Sequence, residues 1–388
     1  MKKKVTILGS TGAIGRKAIS FLEQHLEEFE VIGLTAGENS ELLIDQAEFI
    51  RPKFIALKTT EDWVTIEKRL SALGIECYFG DKGILEVAAK KVDISLAAIS
   101  GFSGLLPTIF AIRAGNNIAL ANKESLVCAG QLFINEARKY NAYIIPVDSE
   151  HNGLFQIFDQ KIQHFVKNIY LTCSGGPFRN LAKEEFSKIT VSQALNHPRW
   201  QMGKKITIDS ATLVNKALEK IEAFHLFGLK QNQIKIIIHP ESIIHGLVTY
   251  IDGGMTAQLS NTDMIIPISY ALSWPDRKTN GINEIDFEKI SSFTFQKPDI
   301  EKFPSLRLVE EVLQEKPSAA LIFNSANEVA VEAFLKEKIR FIDITSIIAE
   351  ALNTIPASDI SSIEEIMNLD IEIREYCLEM IKKRGINV

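Results

Sequence analysis

The segment YIIPVDSEHN, Tyr143 to Asn152, sets Asp148 and Glu150 two residues apart, with Ser149 between them and a histidine next, beyond a short apolar run. In an extended backbone, residues two apart point to the same side, so these carboxylates can address one object; on a helix they would diverge. Like charges held close repel unless solvent screens them or a cation sits between them. Taken alone, the stretch is compatible with a solvated loop and with a divalent-metal site.

A second dense region is NHPRWQMGKKITIDSATLVNKALE, Asn196 to Glu219. Asp209 or Ser210 is expected to cap a helix. Along that helix Asn215, Lys216 and Glu219 fall at i, i+1 and i+4, within about 100° of one face, so an amide, an ammonium and a carboxylate converge. A solvated helix face could carry the same residues. Ahead of it, HPRWQMG puts Trp200 and Met202 in a loop suited to a lid that excludes water, with a packed loop as the alternative. The run LTCSGGPF, Leu171 to Phe178, leads a strand into a Ser-Gly-Gly-Pro turn whose N–H groups could cradle an anion. Its Cys173 reads as a small buried hydrophobe rather than a nucleophile, and His225, His239 and His245 read as structural.

Near the start, GSTGAIG, Gly9 to Gly15, follows a strand directly and opens a helix expected to begin near Arg16. Glycines there permit a tight turn and close backbone approach, while free N–H groups at the helix start favour a phosphate. The spacing is G-x-x-G-x-x-G, which also suits a turn of purely packing value. The second strand ends in TAGENS, without the acidic residue at its tip that grips an adenosine ribose, so NADP is expected; the charge of Glu38 would oppose a 2'-phosphate unless it turns to solvent while Asn39, Ser40 and backbone N–H groups hold it. In LANKESL, Lys123 and Glu124 again lie at a strand end, where open α/β sheets bind ligands.

These groups need a scaffold, and the periodicity supplies one. The first 150 residues alternate short β-branched runs with helical stretches, the pattern of a parallel sheet with covering helices. Strands are expected at Lys4 to Leu8, Glu30 to Ala36, Lys53 to Leu57, Asp93 to Ile99, Asn117 to Ala121 and Ala142 to Val147. From about Gly153 to Pro275 the strands NIYLTC, KIIIHP and TAQLS are more widely spaced and signal an α+β domain. The stretches LRLVEEVLQEK, SAALIFNSANEVAVEAFLKEK, FIDITSIIAEAL and SSIEEIMNLDIEIREYCLEMIKK then read as helices. The fold class expected is α/β, divided as 1-150 dinucleotide-binding, 151-280 catalytic α+β with a lid loop at 196-205, 281-300 linker and 301-388 helical.

Composition narrows the partners. The 388 residues carry a net charge of -6, 46% hydrophobic and 24% charged residues, a soluble globular balance that argues against a dominant nucleic-acid footprint and leaves small anionic substrates open. No apolar run reaches the roughly 18 residues of a membrane span. The four cysteines are scattered without a C-x-x-C pair, which fits a reducing cytoplasm, and the broken apolar run after Leu8 reads as mature protein from Met1.

Taken in order, GSTGAIG, LANKESL, VDSEHN, LTCSGGPF, HPRWQMGKK and DSATLVNKALE resemble the 1-deoxy-D-xylulose 5-phosphate reductoisomerase family, and HPESIIHGLV and the helical C-terminal part fit as well. The resemblance implies that Asp148, Glu150 and Glu219 hold a divalent cation; three oxygen ligands and no thiolate suit Mg2+ or Mn2+. It puts the sugar phosphate against Ser174, Ser210, Asn215 and Lys216, with Ser149, Glu150, Lys123, His197 and Glu219 around the rest of the substrate. NADPH would contact Thr11, Gly12, Ala13, Ile14, Gly37, Glu38, Asn39, Asn122, Glu124 and Gly203. Trp200 and Met202 would form the lid, Lys123, Glu150 and Glu219 would serve the chemistry, and the enzyme would be a cytoplasmic homodimer without nucleic-acid or membrane partners.

The implied chemistry is a skeletal rearrangement by a retro-aldol and aldol sequence, with the metal stabilising oxyanion charge, followed by hydride reduction of the branched aldehyde to 2-C-methyl-D-erythritol 4-phosphate. A basic residue often stands in the family where this chain has Glu38, and Asn261 and Ile265 also depart from the family run near the dimer-forming sheet. The rivals are an NADP-dependent dehydrogenase of another phosphorylated sugar, which needs no three-carboxylate metal site, and a non-catalytic nucleotide-binding regulator, which needs only the binding glycines.

Overall fold

The computed structural model describes residues 1–197 and 202–383. Seven strands, β1 (Lys3–Leu8), β2 (Phe29–Ala36), β3 (Phe54–Leu57), β4 (Glu76–Phe79), β5 (Ile94–Ala97), β6 (Asn117–Leu120) and β7 (Ile144–Pro146), form a parallel sheet in the order β4-β3-β2-β1-β5-β6-β7. Chain order therefore reverses between β1 and β5, and the crevice beyond their carboxyl ends is where such sheets accept ligands. β2, β5 and the Val5–Leu8 part of β1 are buried almost throughout and mostly apolar, as expected of strands covered on both faces. β4, with its sequence ECYF, was absent from the sequence expectation: it is a partly exposed edge strand with only one neighbour to satisfy.

A second sheet joins β8 (Val166–Cys173), β9 (Ile234–Ile238), β10 (Ile244–Tyr250) and β11 (Met255–Leu259) in the order β11-β10-β8-β9. β8 and β9 are parallel, whereas β10 runs antiparallel to both β8 and β11. β10 also escaped the sequence reading, since IHGLVTY contains a glycine and a histidine that blur its alternation. The C-terminal helices Ser305–Val312, Ser318–Leu335, Phe341–Thr354 and Ile363–Lys383 match the four helical stretches. Ser318–Leu335 is buried over most of its length, its apolar residues lying on all sides and Asn324, Ser325 and Asn327 buried among them.

The chain divides into two compact units, one of Met1–Ser125, Phe133–Phe155 and Asp263–Asn283, the other of Leu126–Leu132, Gln156–Thr262 and residues from Glu284 onward. Packing thus groups the chain differently from the boundaries drawn on sequence. Helix Ile265–Ser273 buries Ile268, Ala271 and Leu272 in the core built around Val5, Ile7, Leu34 and Leu96, so it belongs with the parallel sheet.

Candidate active site

The turn after β1 is held from below by β2: Thr35 accepts from Gly9 N at 3.0 Å through its hydroxyl and from Ser10 N at 2.8 Å through its carbonyl. The helix that follows begins at Ala13, three residues earlier than expected, with Gly12 at its N-cap. The three glycines have different reasons to be there. Gly9 has φ +89°, and a Cβ on it would lie 2.8 Å from the Ala98 carbonyl; a Cβ on Gly15 would lie 2.3 Å from the Gly9 carbonyl. Gly12 meets no such obstacle, its nearest neighbour being 3.5 Å away. It is exposed at a helix start, beside the β1/β5 crevice, where lack of a side chain benefits only something approaching from outside. Thr11 and Ile14 are half-buried and Ala13 is exposed on the same turn.

Gly37, Glu38 and Asn39 are exposed just beyond the end of β2. Asn39 Oδ1 caps the next helix by accepting from Leu42 N at 3.1 Å, which leaves its amide N–H groups for a ligand. Asn122 is buried and does similar work: Oδ1 accepts from Ser125 N at 2.8 Å and Nδ2 donates to the Gly101 and Ile99 carbonyls. That cap fixes Lys123 and Glu124 in the first turn of helix Lys123–Lys139.

A lysine at a helix start is disfavoured by the helix dipole, and the Lys123 ammonium is buried as well. Asp148, just past β7, supplies the opposing charge by ion pairing to Lys123 Nζ. Asp148 also lies 3.2 Å from Nδ1 of His151, which is fully buried. Asp148 and Glu150 are not on one extended strand as expected: β7 stops at Pro146, and Ser149–Ile157 is a helix, with Asn152 N donating to the Asp148 carbonyl at 2.8 Å. Both carboxylates are half-buried, and Ser149 Oγ donates to Glu150 Oε2 at 2.6 Å. His151, three residues from Asp148, was visible in the sequence but unassigned; here it orients that carboxylate.

In the second unit, Asp209 and Ser210 lie inside helix Lys204–Ala211 rather than capping the next one. Leu213, in the left-handed conformation, breaks the run, and Val214–Phe227 starts afresh. Asp209 is drawn inward instead, accepting from Asn327 Nδ2 at 2.8 Å and pairing with Lys205 at 3.0 Å. The expected convergence on Val214–Phe227 is present: Glu219, buried, is paired with Lys216 and accepts from Asn215 Nδ2 at 2.5 Å. Asn215 Oδ1 is buried with no hydrogen-bond partner among the described residues.

After β8, Ser174, Gly175 and Gly176 form the turn, with φ +84° and +69° at the two glycines. A Cβ on Gly176 would stand 2.8 Å from the Ser210 carbonyl, so only glycine lets the Ser174 turn close on the Ser210 helix end. Ser174 Oγ lies 3.3 Å from His197 Nε2. Burial pushes the His197 pKa down to about 4, so its ring is neutral near pH 7. Ser174 also lines a cavity of about 1060 Å³ with Arg179, Lys188 and Asn196. Met202 is half-buried and Gly203, exposed, caps helix Lys204–Ala211; Trp200 and most of the central lid lie outside the described residues. Cys173 is buried, as expected.

Three family models match: 1-deoxy-D-xylulose 5-phosphate reductoisomerase over residues 5–130, its C-terminal domain over 144–227, and the DXP reductoisomerase C-terminal domain over 259–376. The 1-deoxy-D-xylulose 5-phosphate reductoisomerase of Wolbachia pipientis from Culex pipiens is 44% identical, covering 99% of both chains. This chain belongs to the 1-deoxy-D-xylulose 5-phosphate reductoisomerase family. The enzyme of Actinobacillus pleuropneumoniae serotype 3 is 45% identical over 98% of this chain and 99% of its own. A DOX-P reductoisomerase solved with NADPH, fosmidomycin and magnesium shares the fold at TM-score 0.93 and 38% identity, covering 98% of each chain. The Zymomonas mobilis reductoisomerase, solved with NADPH, gives 0.92 at 38% identity, covering 98% of this chain and 99% of its own. The chain is accordingly an NADPH-dependent oxidoreductase that, with a divalent cation, converts 1-deoxy-D-xylulose 5-phosphate to 2-C-methyl-D-erythritol 4-phosphate in isoprenoid biosynthesis.

Proposed function

We propose that this reaction is performed by the residues brought forward above, in the following roles. Thr11, Gly12, Ala13 and Ile14 receive the NADPH pyrophosphate at the helix start beyond β1, while Gly37, Glu38 and Asn39 face the adenosine ribose. Asn122 and Glu124 border the cofactor at the end of β6, and Gly203 meets it from the start of its helix. The exposure of Gly12 without any packing demand supports the pyrophosphate assignment.

Asp148, Glu150 and Glu219 hold the cation. The donor set fits: three carboxylates without a thiolate or ligating imidazole suit a hard ion such as Mg2+ or Mn2+. When bound, the cation supplies Lewis-acid polarisation of the substrate oxygens. Lys123 sets its ammonium charge, or a proton, beside those oxygens. Ser149 and His197 orient the substrate, and Ser174, Ser210, Asn215 and Lys216 bind its phosphate. The close approach of Gly176 to the Ser210 carbonyl carries this last assignment, because it brings the turn bearing one serine onto the helix end bearing the other. Asn215 and Lys216 have their donors on Glu219; a cation held by that carboxylate would compete with both donors and leave them available for the phosphate.

Trp200 and Met202 close over substrate and nicotinamide, excluding water from a reactive intermediate. The enzyme acts as a cytoplasmic homodimer on a small sugar phosphate, without nucleic-acid partners. No helix among the described residues is long and apolar enough to cross a membrane. The free edge of β11, with Met255 and nearby Ile251 exposed, supports a dimer contact through the second sheet.

The test is NADPH oxidation by the purified protein with 1-deoxy-D-xylulose 5-phosphate, with Mg2+ or a chelator, alongside variants at Asp148, Glu150 and Glu219. Consumption only with metal and substrate, lost in each variant while NADPH binding persists, is the expected result. Full activity in any one variant removes that residue from the metal set.

A further inference from the structure

The Ser174-Gly175-Gly176 turn has little stiffness of its own, since two successive glycines at positive φ leave the backbone many alternatives. It is braced from two directions. On one side Gly176 rests against the Ser210 carbonyl. On the other lies Arg179: a Cβ on Gly175 would come within 2.9 Å of Arg179 Cδ, and Arg179 Nη1 donates to the Ser174 carbonyl at 3.0 Å. Arg179 is itself anchored, because Lys302 Nζ donates to its carbonyl at 2.7 Å. The side chain is half-buried and lines the same cavity as Ser174 and Asn196.

We propose that Arg179 is a positioning residue for the phosphate end of the substrate, acting through Ser174. The inference rests on the reading of Ser174 as a phosphate ligand. A serine hydroxyl contributes to binding only when its backbone is fixed to about 0.5 Å, and among the described residues the guanidinium link is the one side-chain hydrogen bond to the carbonyl of that serine. The planar fork donates to the carbonyl while its stem covers Gly175, so one residue fixes both the position and the slope of the turn.

The experiment compares Arg179→Met, Arg179→Lys, Ser174→Ala and the Arg179→Met/Ser174→Ala double variant in the full enzyme with NADPH and Mg2+. KM and kcat for 1-deoxy-D-xylulose 5-phosphate, the Kd for NADPH and the melting temperature are read for each. Arg179→Met is expected to raise KM about tenfold, the equivalent of one charge-assisted hydrogen bond, with kcat and the NADPH Kd little changed. Arg179→Lys recovers most of that loss, since an ammonium can still reach the carbonyl. In the Ser174→Ala background, Arg179→Met adds little further increase, because its effect passes through the missing hydroxyl. Full additivity would instead mean that Arg179 touches the phosphate itself and would overturn the proposal. So would an unchanged KM in Arg179→Met beside a raised KM in Ser174→Ala, which leaves the phosphate reading intact. An unchanged KM in Ser174→Ala overturns the phosphate reading and the proposal with it.

Discussion

Lys216 and Glu219, three residues apart on helix Val214–Phe227 and both almost wholly buried, form an ion pair in which the carboxylate also accepts from Asn215. In the proposed site this carboxylate would exchange those two donors for a cation. Glu219→Gln keeps the shape and a hydrogen bond while removing the charge. Turnover is expected to fall on the order of 10²–10⁴-fold, the scale of a lost Lewis-acid contribution of several kcal/mol, while the NADPH Kd measured by fluorescence titration stays within about threefold. Unchanged turnover would remove Glu219 from the metal set.

The first turn separates glycines required by packing from one proposed to meet the cofactor. Gly15→Ala drives a methyl to 2.3 Å from the Gly9 carbonyl, and overpacking of this kind costs about 1–3 kcal/mol, so its melting temperature should drop. Gly12→Ala meets nothing closer than 3.5 Å; apart from the modest cost of alanine at an N-cap it should melt closer to the parent than Gly15→Ala does, yet show a raised KM for NADPH. Equal melting behaviour with unaltered NADPH kinetics in Gly12→Ala would break the pyrophosphate assignment.

Glu38 is exposed just beyond the end of β2, and in the proposed arrangement its charge lies beside the adenosine ribose. Glu38→Ser is expected to improve the ratio of NADPH to NADH use by several-fold, about 1 kcal/mol for an exposed pair of like charges, with the gain shrinking at high salt. Paired kcat/KM measurements at two ionic strengths decide it; an unaltered ratio would mean that Glu38 points away from the 2'-phosphate.

His197 titrates at about 4 in the folded protein because burial disfavours its charged form, against about 6.5 in an unfolded chain. Between those values the unfolded state binds the extra proton, so the stabilisation from keeping this ring neutral is complete above pH 6.5 and is lost as pH falls through about 4. His197→Gln should therefore flatten part of the fall in urea-unfolding stability over that window. A phosphate dianion at Ser174 would oppose the same depression, so substrate binding near pH 6 should take up a proton in the parent and less in His197→Gln. Calorimetry in buffers of different ionisation enthalpy reads that uptake; equal uptake in both proteins would place the ring away from the phosphate.

Much of this site was legible in the chain itself. β-branched runs alternating with amphipathic ones specify a parallel sheet, because strands covered on both faces must be apolar throughout and their crossovers must be helical. The glycine turn after β1 and the carboxylate, amide and lysine on Val214–Phe227 follow from residue type and spacing, whereas the grouping of Glu219 with Asp148 and Glu150 as an oxygen-only donor set rests on the family resemblance. What the sequence missed were features set by distant partners. Asp148 and Glu150 lie on either side of a helix start rather than on extended backbone, because β7 ends at Pro146 and a helix begins at Ser149. Asp209 is not a cap, because it lies inside helix Lys204–Ala211 and its carboxylate accepts from Asn327, 118 positions away. The distinction among Gly9, Gly12 and Gly15 depends on where the Ala98 and Gly9 carbonyls come to rest, and the brace of Arg179 on Ser174 on how a flexible turn is covered. Spacing along the chain fixes which groups share a face of one element; only the folded backbone fixes which carbonyl or ring stands opposite, since that contact joins residues whose separation in sequence carries no periodic signal.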